Sequence, residues 1–128
     1  MTSAMGATVA IVEDDENTRD VFRTILEHNG MRVVEAVDGE HALDLVRSEH
    51  PDVVLLDLGL PGIDGRAVAR ELKADPETAR VPIIVVTAAA EEDTRRWALR
   101  LGCSDFLEKP VELKTLTEAI VRCLEKAA

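Results

Sequence analysis

Polar groups that could do chemistry stand at the ends of four of the five short apolar runs in this sequence. Three acids follow the first run, one acid follows the third, a hydroxyl follows the fourth and an ammonium follows the fifth. In chain order they are Glu13, Asp14, Asp15, Asp57, Thr87 and Lys109. A single acid after a strand is more often a helix cap or a turn former. Capping does not readily explain polar residues at four such ends, so we interpret them as parts of one site.

Carboxylates gathered in one crevice would repel one another. At least one of them should then resist ionisation unless a cation lies among them. Hard oxygen ligands and a small number of carboxylates suit Mg²⁺, which keeps several waters and pairs with phosphate. In this interpretation Asp14 and Asp57 bind the ion directly. Glu13 holds one of its waters, and the backbone carbonyl of Gly59 supplies another oxygen.

The same crevice could take up a phosphoryl group. A carboxylate can attack phosphorus and form an acyl phosphate, and Asp57 is the candidate nucleophile. Lys109 would offset charge on the phosphoryl oxygens from the side opposite the metal. The Thr87 hydroxyl could donate a hydrogen bond to one of those oxygens. We therefore predict that Asp57, Thr87 and Lys109 carry the reaction, with Mg²⁺ as the cofactor.

Five apolar runs alternate with five amphipathic stretches along the chain. The runs lie at residues 9–12, 33–37, 53–56, 83–86 and 106–107. Each is followed by apolar residues at helical spacing, such as Leu113, Leu116 and Ile120 in the last stretch. Strand followed by helix, five times over, predicts an α/β fold with a five-stranded parallel sheet and five helices.

The strand order can be predicted from where polar residues interrupt the runs. The first, third and fourth runs are apolar throughout, as strands buried on both faces must be. The second contains Arg32 and Glu35, and the fifth is flanked by Asp105 and Glu108, which suits edge strands. These edges match the doubly wound order 2-1-3-4-5, in which ligands bind at the carboxyl ends of the strands beside the first and third. The polar residues described above follow those ends.

Four segments that hold these residues resemble the signature of response-regulator receiver domains, a chemotaxis-regulator-like family with a flavodoxin-like fold. They read IVEDD at 11–15, VLLDLGLPGIDG at 54–65, VTA at 86–88 and KP at 109–110. The resemblance extends over nearly the whole chain, in the family's order and spacing. We therefore predict a receiver domain at residues 8–128, preceded by a flexible leader at residues 1–7.

The resemblance implies Mg²⁺-dependent phosphoryl transfer to Asp57 from a histidine kinase or a histidine phosphotransfer protein. It also implies a cis peptide bond between Lys109 and Pro110, and a switch in which Thr87 moves toward the phosphoryl group while Phe106 fills the vacated space. Plain core filling stays open as an alternative for Phe106. The face formed by the fourth helix, fifth strand and fifth helix would then be read by an effector protein or an output domain. The chain would act as a monomer or as a phosphorylation-dependent dimer.

Composition argues against several other classes of function. The formal net charge of −10 over 128 residues disfavours direct nucleic-acid binding, which needs clustered cations facing phosphates. No apolar run approaches the roughly 20 residues that span a bilayer. Cys103 and Cys123 have no metal-ligand spacing, and they indicate reduced thiols in a cytoplasmic protein.

Three alternative functions would each require or predict different residues in the sequence. An aspartyl-nucleophile phosphatase needs a second acid two residues after Asp57, where this chain has Gly59. A nucleotide-binding module needs a Gly-rich phosphate loop, and the sequence contains none. A phosphate-independent interaction module is disfavoured by the complete set of site residues. We therefore predict a stoichiometric phosphoryl acceptor rather than an enzyme, in which small residues at Gly59 and Ala89 admit water for self-dephosphorylation.

Overall fold

The computed structural model describes residues 4–127, which form five strands and five helices in strict alternation. In chain order the elements are β1 (Thr8–Val12), α1 (Glu16–His28), β2 (Arg32–Ala36), α2 (Gly39–Glu49), β3 (Val53–Leu56), α3 (Gly65–Ala74), β4 (Ile83–Thr87), α4 (Glu92–Leu101), β5 (Asp105–Glu108) and α5 (Leu113–Ala127). The predicted alternation of strand and helix is confirmed. None of the helices among these described residues is long and apolar enough to cross a lipid bilayer.

All neighbouring strands are parallel, and their order is β2-β1-β3-β4-β5. The predicted doubly wound order, with β2 and β5 at the edges, is therefore confirmed. On β2 the polar residues Arg32 and Glu35 are exposed, whereas β3 and β4 are buried along their whole length. β2 ends at Ala36, one residue earlier than predicted, because β1 pairs with it only as far as Val12. Val37 lies beyond this ladder and is exposed.

Each face of the sheet has its own hydrophobic core, because successive strand residues point to opposite sides. One core packs the sheet against α2, α3 and α4, and the other packs it against α1 and α5. In β3, for example, Val54 and Leu56 belong to the first core and Val53 and Leu55 to the second. Full burial of such a side chain contributes roughly 1.5–3 kcal/mol. The central strands are therefore fixed from both sides.

The two cysteines lie on opposite sides of this sheet. Cys103 belongs to the core beneath α2, α3 and α4, and Cys123 belongs to the core beneath α1 and α5. Both thiols are free and buried, and burial raises the pKa of each. They pack as small hydrophobic residues and are poorly suited to react as thiolates.

Aspartates cap the first three helices. Asp15 accepts a hydrogen bond from the Thr18 N–H at 3.0 Å where α1 begins. Asp38 does the same for α2 and Asp64 for α3. These bonds satisfy N–H groups that have no partner within their helices. Asp15 is therefore the member of the acidic sequence after β1 that serves as a cap.

The predicted leader covers residues 1–7, of which residues 1–3 lie outside the described part of the chain. The rest contacts the turn after α1. Ala4 is buried, and the Gly6 N–H donates to the Gly30 carbonyl at 2.8 Å. These contacts attach the described part of the leader to the fold, and the position of the domain boundary stays a prediction.

α3 and α4 are joined by a contact that combines polar and aromatic groups. Arg66 Nη2 donates to Oγ1 of the buried Thr94 at 2.8 Å. The guanidinium groups of Arg66 and Arg70 lie 5.6 and 6.0 Å from the centroid of the half-buried Trp97 ring, within range of a cation–π interaction. α3 follows the loop after β3, and α4 follows the loop after β4. The contact therefore links the loops that leave two central strands.

Gly65 begins α3 at a point where the helix touches the chain leaving β3. A Cβ atom on Gly65 would lie 2.5 Å from the Asp57 carbonyl oxygen and 2.5 Å from the Leu58 Cα. Both are backbone atoms in a close-packed region, so neither can move aside easily. Gly59 lies in the same loop, where an added Cβ would meet only Asp57 Oδ1 at 3.7 Å. Close packing thus requires glycine at position 65 and does not require it at position 59.

We expect Gly65→Ala to lower the free energy of unfolding by about 1–3 kcal/mol, the usual effect of overpacking a close contact. Urea denaturation followed by far-UV circular dichroism measures this change. Gly59→Ala is the matched control, and it should change the free energy of unfolding by less than about 0.5 kcal/mol. Equal stability of the two variants would contradict the close approach at Gly65.

Candidate functional site

The sheet order brings the predicted site residues to one edge. Glu13 directly follows β1, Asp57 follows β3, Thr87 ends β4 and Lys109 follows β5. Backbone hydrogen bonds extend the ladder into this edge. The Asp57 N–H donates to the Val12 carbonyl at 3.0 Å, and the Lys109 N–H donates to the Thr87 carbonyl at 3.0 Å. The site backbone is therefore fixed at the carboxyl ends of the strands, where ligands bind in sheets of this order.

Three carboxylates lie together at the centre of this edge. Glu13, Asp14 and Asp57 each place a carboxylate oxygen within 4.8 Å of the others. Glu13 and Asp57 are buried, with 3% and 8% exposure, and Asp14 is exposed. An all-oxygen set that is open on one side suits Mg²⁺, which retains several waters. Among residues 4–127 this is the one group of three or more acidic, His or Cys side chains close enough to hold a metal ion.

Lys109 places a positive charge among these acids. Its Nζ donates to Asp57 Oδ2 at 2.9 Å and also to Glu13 Oε1. Burial alone would lower the pKa of Lys109, but the two hydrogen bonds and the carboxylate charges raise it above its ordinary value. The ammonium therefore stays charged beside two carboxylates. The peptide bond between Lys109 and Pro110 is cis.

Asp57 is held in its ionised form. Burial favours the neutral acid, but hydrogen bonds from the Gly59 N–H, Lys109 and the Thr87 side chain hold the pKa of Asp57 below its usual range. The Gly59 N–H donates to Oδ1 at 3.0 Å, and Lys109 occupies the other oxygen. A charged carboxylate with a fixed orientation is suited to act as a nucleophile.

The pKa of Glu13 shifts in the opposite direction to that of Asp57. Burial, supported by the negative charge of Asp57, raises the pKa of Glu13 against hydrogen bonds from Lys109 and the Asp15 N–H. The sequence predicts that at least one of the clustered carboxylates resists ionisation unless a cation lies among them, and the raised pKa of Glu13 agrees in direction with this prediction. Sequence alone could not show this, because Glu13 and Asp57 are both buried and their pKa values differ in direction through the hydrogen bonds that each accepts.

Thr87 ends β4 and Phe106 lies on β5 opposite Val85, and both side chains are buried. The Ala89 N–H donates to Thr87 Oγ1 at 3.2 Å, which orients the hydroxyl where the loop after β4 begins. The Arg95 guanidinium lies 5.7 Å from the centroid of the Phe106 ring and so joins α4 to β5. Phe106 packs in the core beneath α2, α3 and α4, and its part in a switch stays a prediction.

The sequence interpretation missed one residue that contacts the site. Arg19 is the fourth residue of α1, and its Nη1 donates to the Glu13 carbonyl at 2.9 Å. A cation is unfavourable near the positive end of a helix dipole. An arginine so soon after the acids was therefore a usable signal, although it did not show which atom the side chain would reach.

Comparison with known proteins agrees with this architecture. The family model of the response regulator receiver domain matches residues 9–121. The chain is 38% identical over 114 residues to protein PilH of Pseudomonas aeruginosa, and the match covers 89% of this chain and 94% of PilH. It is 36% identical over 116 residues to the polar-differentiation response regulator DivK of Brucella ovis, covering 91% of this chain and 94% of DivK.

Solved structures show the same fold. The receiver domain of the sensor histidine kinase PA1611 of Pseudomonas aeruginosa has a magnesium ion coordinated in its active-site cleft. It superposes with a TM-score of 0.85 at 32% identity, covering 94% of this chain and 98% of that one. A CheY-like receiver domain protein of Methanospirillum hungatei gives a TM-score of 0.90 at 25% identity, covering 95% and 96%. With the family match spanning most of its length, the chain belongs to the receiver domains of two-component response regulators.

Proposed function

We propose that Asp57 accepts a phosphoryl group from a phosphohistidine in a Mg²⁺-dependent reaction. The observation that carries this proposal is the Asp57 carboxylate, oriented by hydrogen bonds from Gly59 and Lys109 within a cluster of acids. One carboxylate oxygen of Asp57 forms a bond to phosphorus as the bond between phosphorus and the imidazole nitrogen breaks. The electron pair of the broken bond stays on that nitrogen, so the transfer needs no redox partner.

Glu13, Asp14, Asp57 and the Gly59 carbonyl are the groups that would hold the metal, with Glu13 acting through a water. The first three supply the clustered carboxylates, and Gly59 lies in the loop that leaves β3. When bound, Mg²⁺ offsets negative charge on the phosphoryl oxygens. Two of these carboxylates are buried and fixed by hydrogen bonds, so they would determine where the ion binds.

Lys109 and Thr87 act on the phosphoryl group from the protein side. The Lys109 ammonium already contacts the nucleophile, so it can offset charge that develops beside Asp57. The Thr87 hydroxyl can donate to a phosphoryl oxygen, and this would draw Thr87 toward the phosphoryl group. Movement of Thr87 and refilling of the space by Phe106 would then change the face formed by α4, β5 and α5.

The partners of this chain follow from its family. A receiver domain receives its signal from a histidine kinase or a histidine phosphotransfer protein and passes it to an effector. We propose that the effector, an output domain or a second copy of the chain reads the face of α4, β5 and α5. The formal net charge of −10 supports a protein partner rather than direct nucleic-acid binding, and we assign the chain to the cytoplasm.

The chain acts stoichiometrically in this proposal. A phosphatase with an aspartyl nucleophile would need a general acid two residues after Asp57, and Gly59 cannot donate a side-chain proton. The acyl phosphate would be lost when a water oxygen bonds to phosphorus and the bond from phosphorus to Asp57 breaks, which releases inorganic phosphate and restores the carboxylate. The small residues Gly59 and Ala89 leave the approach of that water open.

Incubation with acetyl phosphate and Mg²⁺ should add the mass of one phosphoryl group to the chain, because Asp57 is ionised and oriented for attack. Intact mass spectrometry measures the adduct. Asp57→Asn should give none, and chelation of Mg²⁺ should prevent its formation. Asp64→Asn is the matched control, because it changes an acid in the same loop and retains a good helix cap. An unmodified wild-type chain would instead support a phosphate-independent interaction module.

The adduct should disappear in minutes rather than many hours once acetyl phosphate is removed, because water reaches the site past Gly59 and Ala89. A time course of intact mass measures the loss. Ala89→Leu should slow it by shielding the phosphoryl group. A wild-type adduct that persists for many hours, or an unchanged rate in Ala89→Leu, would contradict this account of water access.

Trp97 fluorescence should change when beryllofluoride and Mg²⁺ are added, because a single loop joins Thr87, the last residue of β4, to α4. Trp97 is the sole tryptophan and the chain has no tyrosine, so the emission comes from Trp97 and reports on the contact between α4 and α3. Steady-state emission spectra measure the change, and Asp57→Asn provides the control. Identical spectra with and without beryllofluoride would show that the site is not coupled to α4.

A further inference from the structure

We infer that Arg19 is a positioning residue for the metal site, where it holds the peptide between Glu13 and Asp14 in the orientation that the metal requires. The inference rests on the proposed function, because it assumes that these acids bind Mg²⁺. Arg19 does not touch the reacting atoms. It acts through the backbone that carries two of the three carboxylates.

The position of Arg19 is unusual for a cation. Its side chain is only 15% exposed, and it belongs to the first turns of α1, near the positive end of the helix dipole. Both burial and the dipole disfavour a charge there. The side chain is held by a hydrogen bond of 2.9 Å from Nη1 to the Glu13 carbonyl. A locally unfavourable residue with a specific contact at a functional site indicates a role at that site.

A hydrogen bond to the Glu13 carbonyl can fix the orientation of Asp14. Its oxygen and the Asp14 N–H belong to one planar peptide unit, so fixing the oxygen fixes the plane from which Asp14 projects. The Glu13 N–H donates to the Ala36 carbonyl at 3.1 Å, and its carboxylate is bound by Lys109 and the Asp15 N–H. Arg19 completes this set of contacts. Asp14 itself is exposed, so packing does little to orient it.

Arg23 provides an internal comparison. Both arginines lie near Glu35 on β2, but Arg23 donates to its two carboxylate oxygens at 3.0 and 3.1 Å, whereas Arg19 Nε is 3.8 Å away. Arg23 also donates to Asp20 at 2.7 Å. Glu35 is thus chiefly the partner of Arg23, and the short hydrogen bond of Arg19 goes to the Glu13 carbonyl.

Arg19 could change the affinity for Mg²⁺ in two opposite directions. A cation near the site repels Mg²⁺, so a purely electrostatic role predicts tighter binding when Arg19 is neutralised. A positioning role predicts weaker binding, because the carboxylates lose their preset orientation. The direction of the change in affinity therefore separates the two roles.

The test compares Arg19→Met with Arg23→Met. Each substitution removes one positive charge and retains an unbranched side chain that favours a helix. Calorimetric titration with Mg²⁺ measures the dissociation constant, and urea denaturation checks that both variants fold. We expect Arg19→Met to raise the dissociation constant about tenfold, at the lower end of the effect of outer-shell partners, and Arg23→Met to leave it close to the wild-type value.

Two further readouts distinguish positioning from a general structural role. In the acetyl phosphate reaction, Arg19→Met should need more Mg²⁺ for half-maximal rate while the rate at saturating Mg²⁺ stays near that of the wild type. Arg19→Lys keeps the charge and one donor, and its affinity should lie between those of Arg19→Met and the wild type. It also provides the comparison with the wild type if Arg19→Met does not fold.

Equal or tighter Mg²⁺ binding by Arg19→Met would overturn the inference, as would an equal loss of affinity in Arg23→Met. Arg19→Lys that binds Mg²⁺ no better than Arg19→Met, or as well as the wild type, would also overturn it. A wild-type chain that binds no Mg²⁺ and forms no adduct would overturn the proposed function first. If only the inference about Arg19 is wrong, the wild-type chain will still bind Mg²⁺ and form the phosphoryl adduct.

Discussion

Charge balance in a partly buried crevice is the constraint on which this structure depends. Three carboxylates are brought together at the carboxyl ends of the central strands, and water is largely excluded from two of them. Such a group persists only if opposite charge and directed hydrogen bonds accompany it. Lys109 supplies the charge, and backbone N–H groups at Gly59 and Asp15 supply the bonds. The pKa of Asp57 is held below its usual range and that of Glu13 is raised, so two similar side chains in one crevice differ in how readily they ionise.

The fold fixes the positions of the charged groups in the crevice. Parallel strands in the order 2-1-3-4-5 place β1 and β3 side by side, so acids separated by more than forty residues meet at one edge. Cores on both faces prevent the strands from shifting. The loop after β3 is fixed as well, because α3 begins at Gly65 in direct contact with the backbone of Asp57. The backbone of Asp57 is therefore held on one side by a hydrogen bond to Val12 of β1 and on the other by contact with Gly65 at the start of α3.

The fold and the members of the site could be predicted from sequence because both follow from simple patterns. Apolar runs with polar interruptions gave the strand order, and the polar ends of those runs gave Glu13, Asp57, Thr87 and Lys109. Features that depend on three-dimensional contact could not be obtained in this way. The end of β2 depended on the length of its partner, and the contact of Arg66 with Thr94 depended on the packing of two distant helices. The position of Arg19 near the start of a helix is unusual and can be seen in the sequence. The atom that its guanidinium contacts, the Glu13 carbonyl oxygen, cannot.

The placement of the two cysteines has a consequence for the dynamics of the domain. One thiol lies in each layer, with the whole sheet between them, and neither is accessible in the closed structure. A thiol reagent can modify Cys103 only when the layer of α2, α3 and α4 opens, and Cys123 only when the layer of α1 and α5 opens. Local opening of different parts of a domain has different free energies. The natural sequence therefore contains a pair of probes whose relative labelling rates compare the local unfolding of the two layers within one molecule.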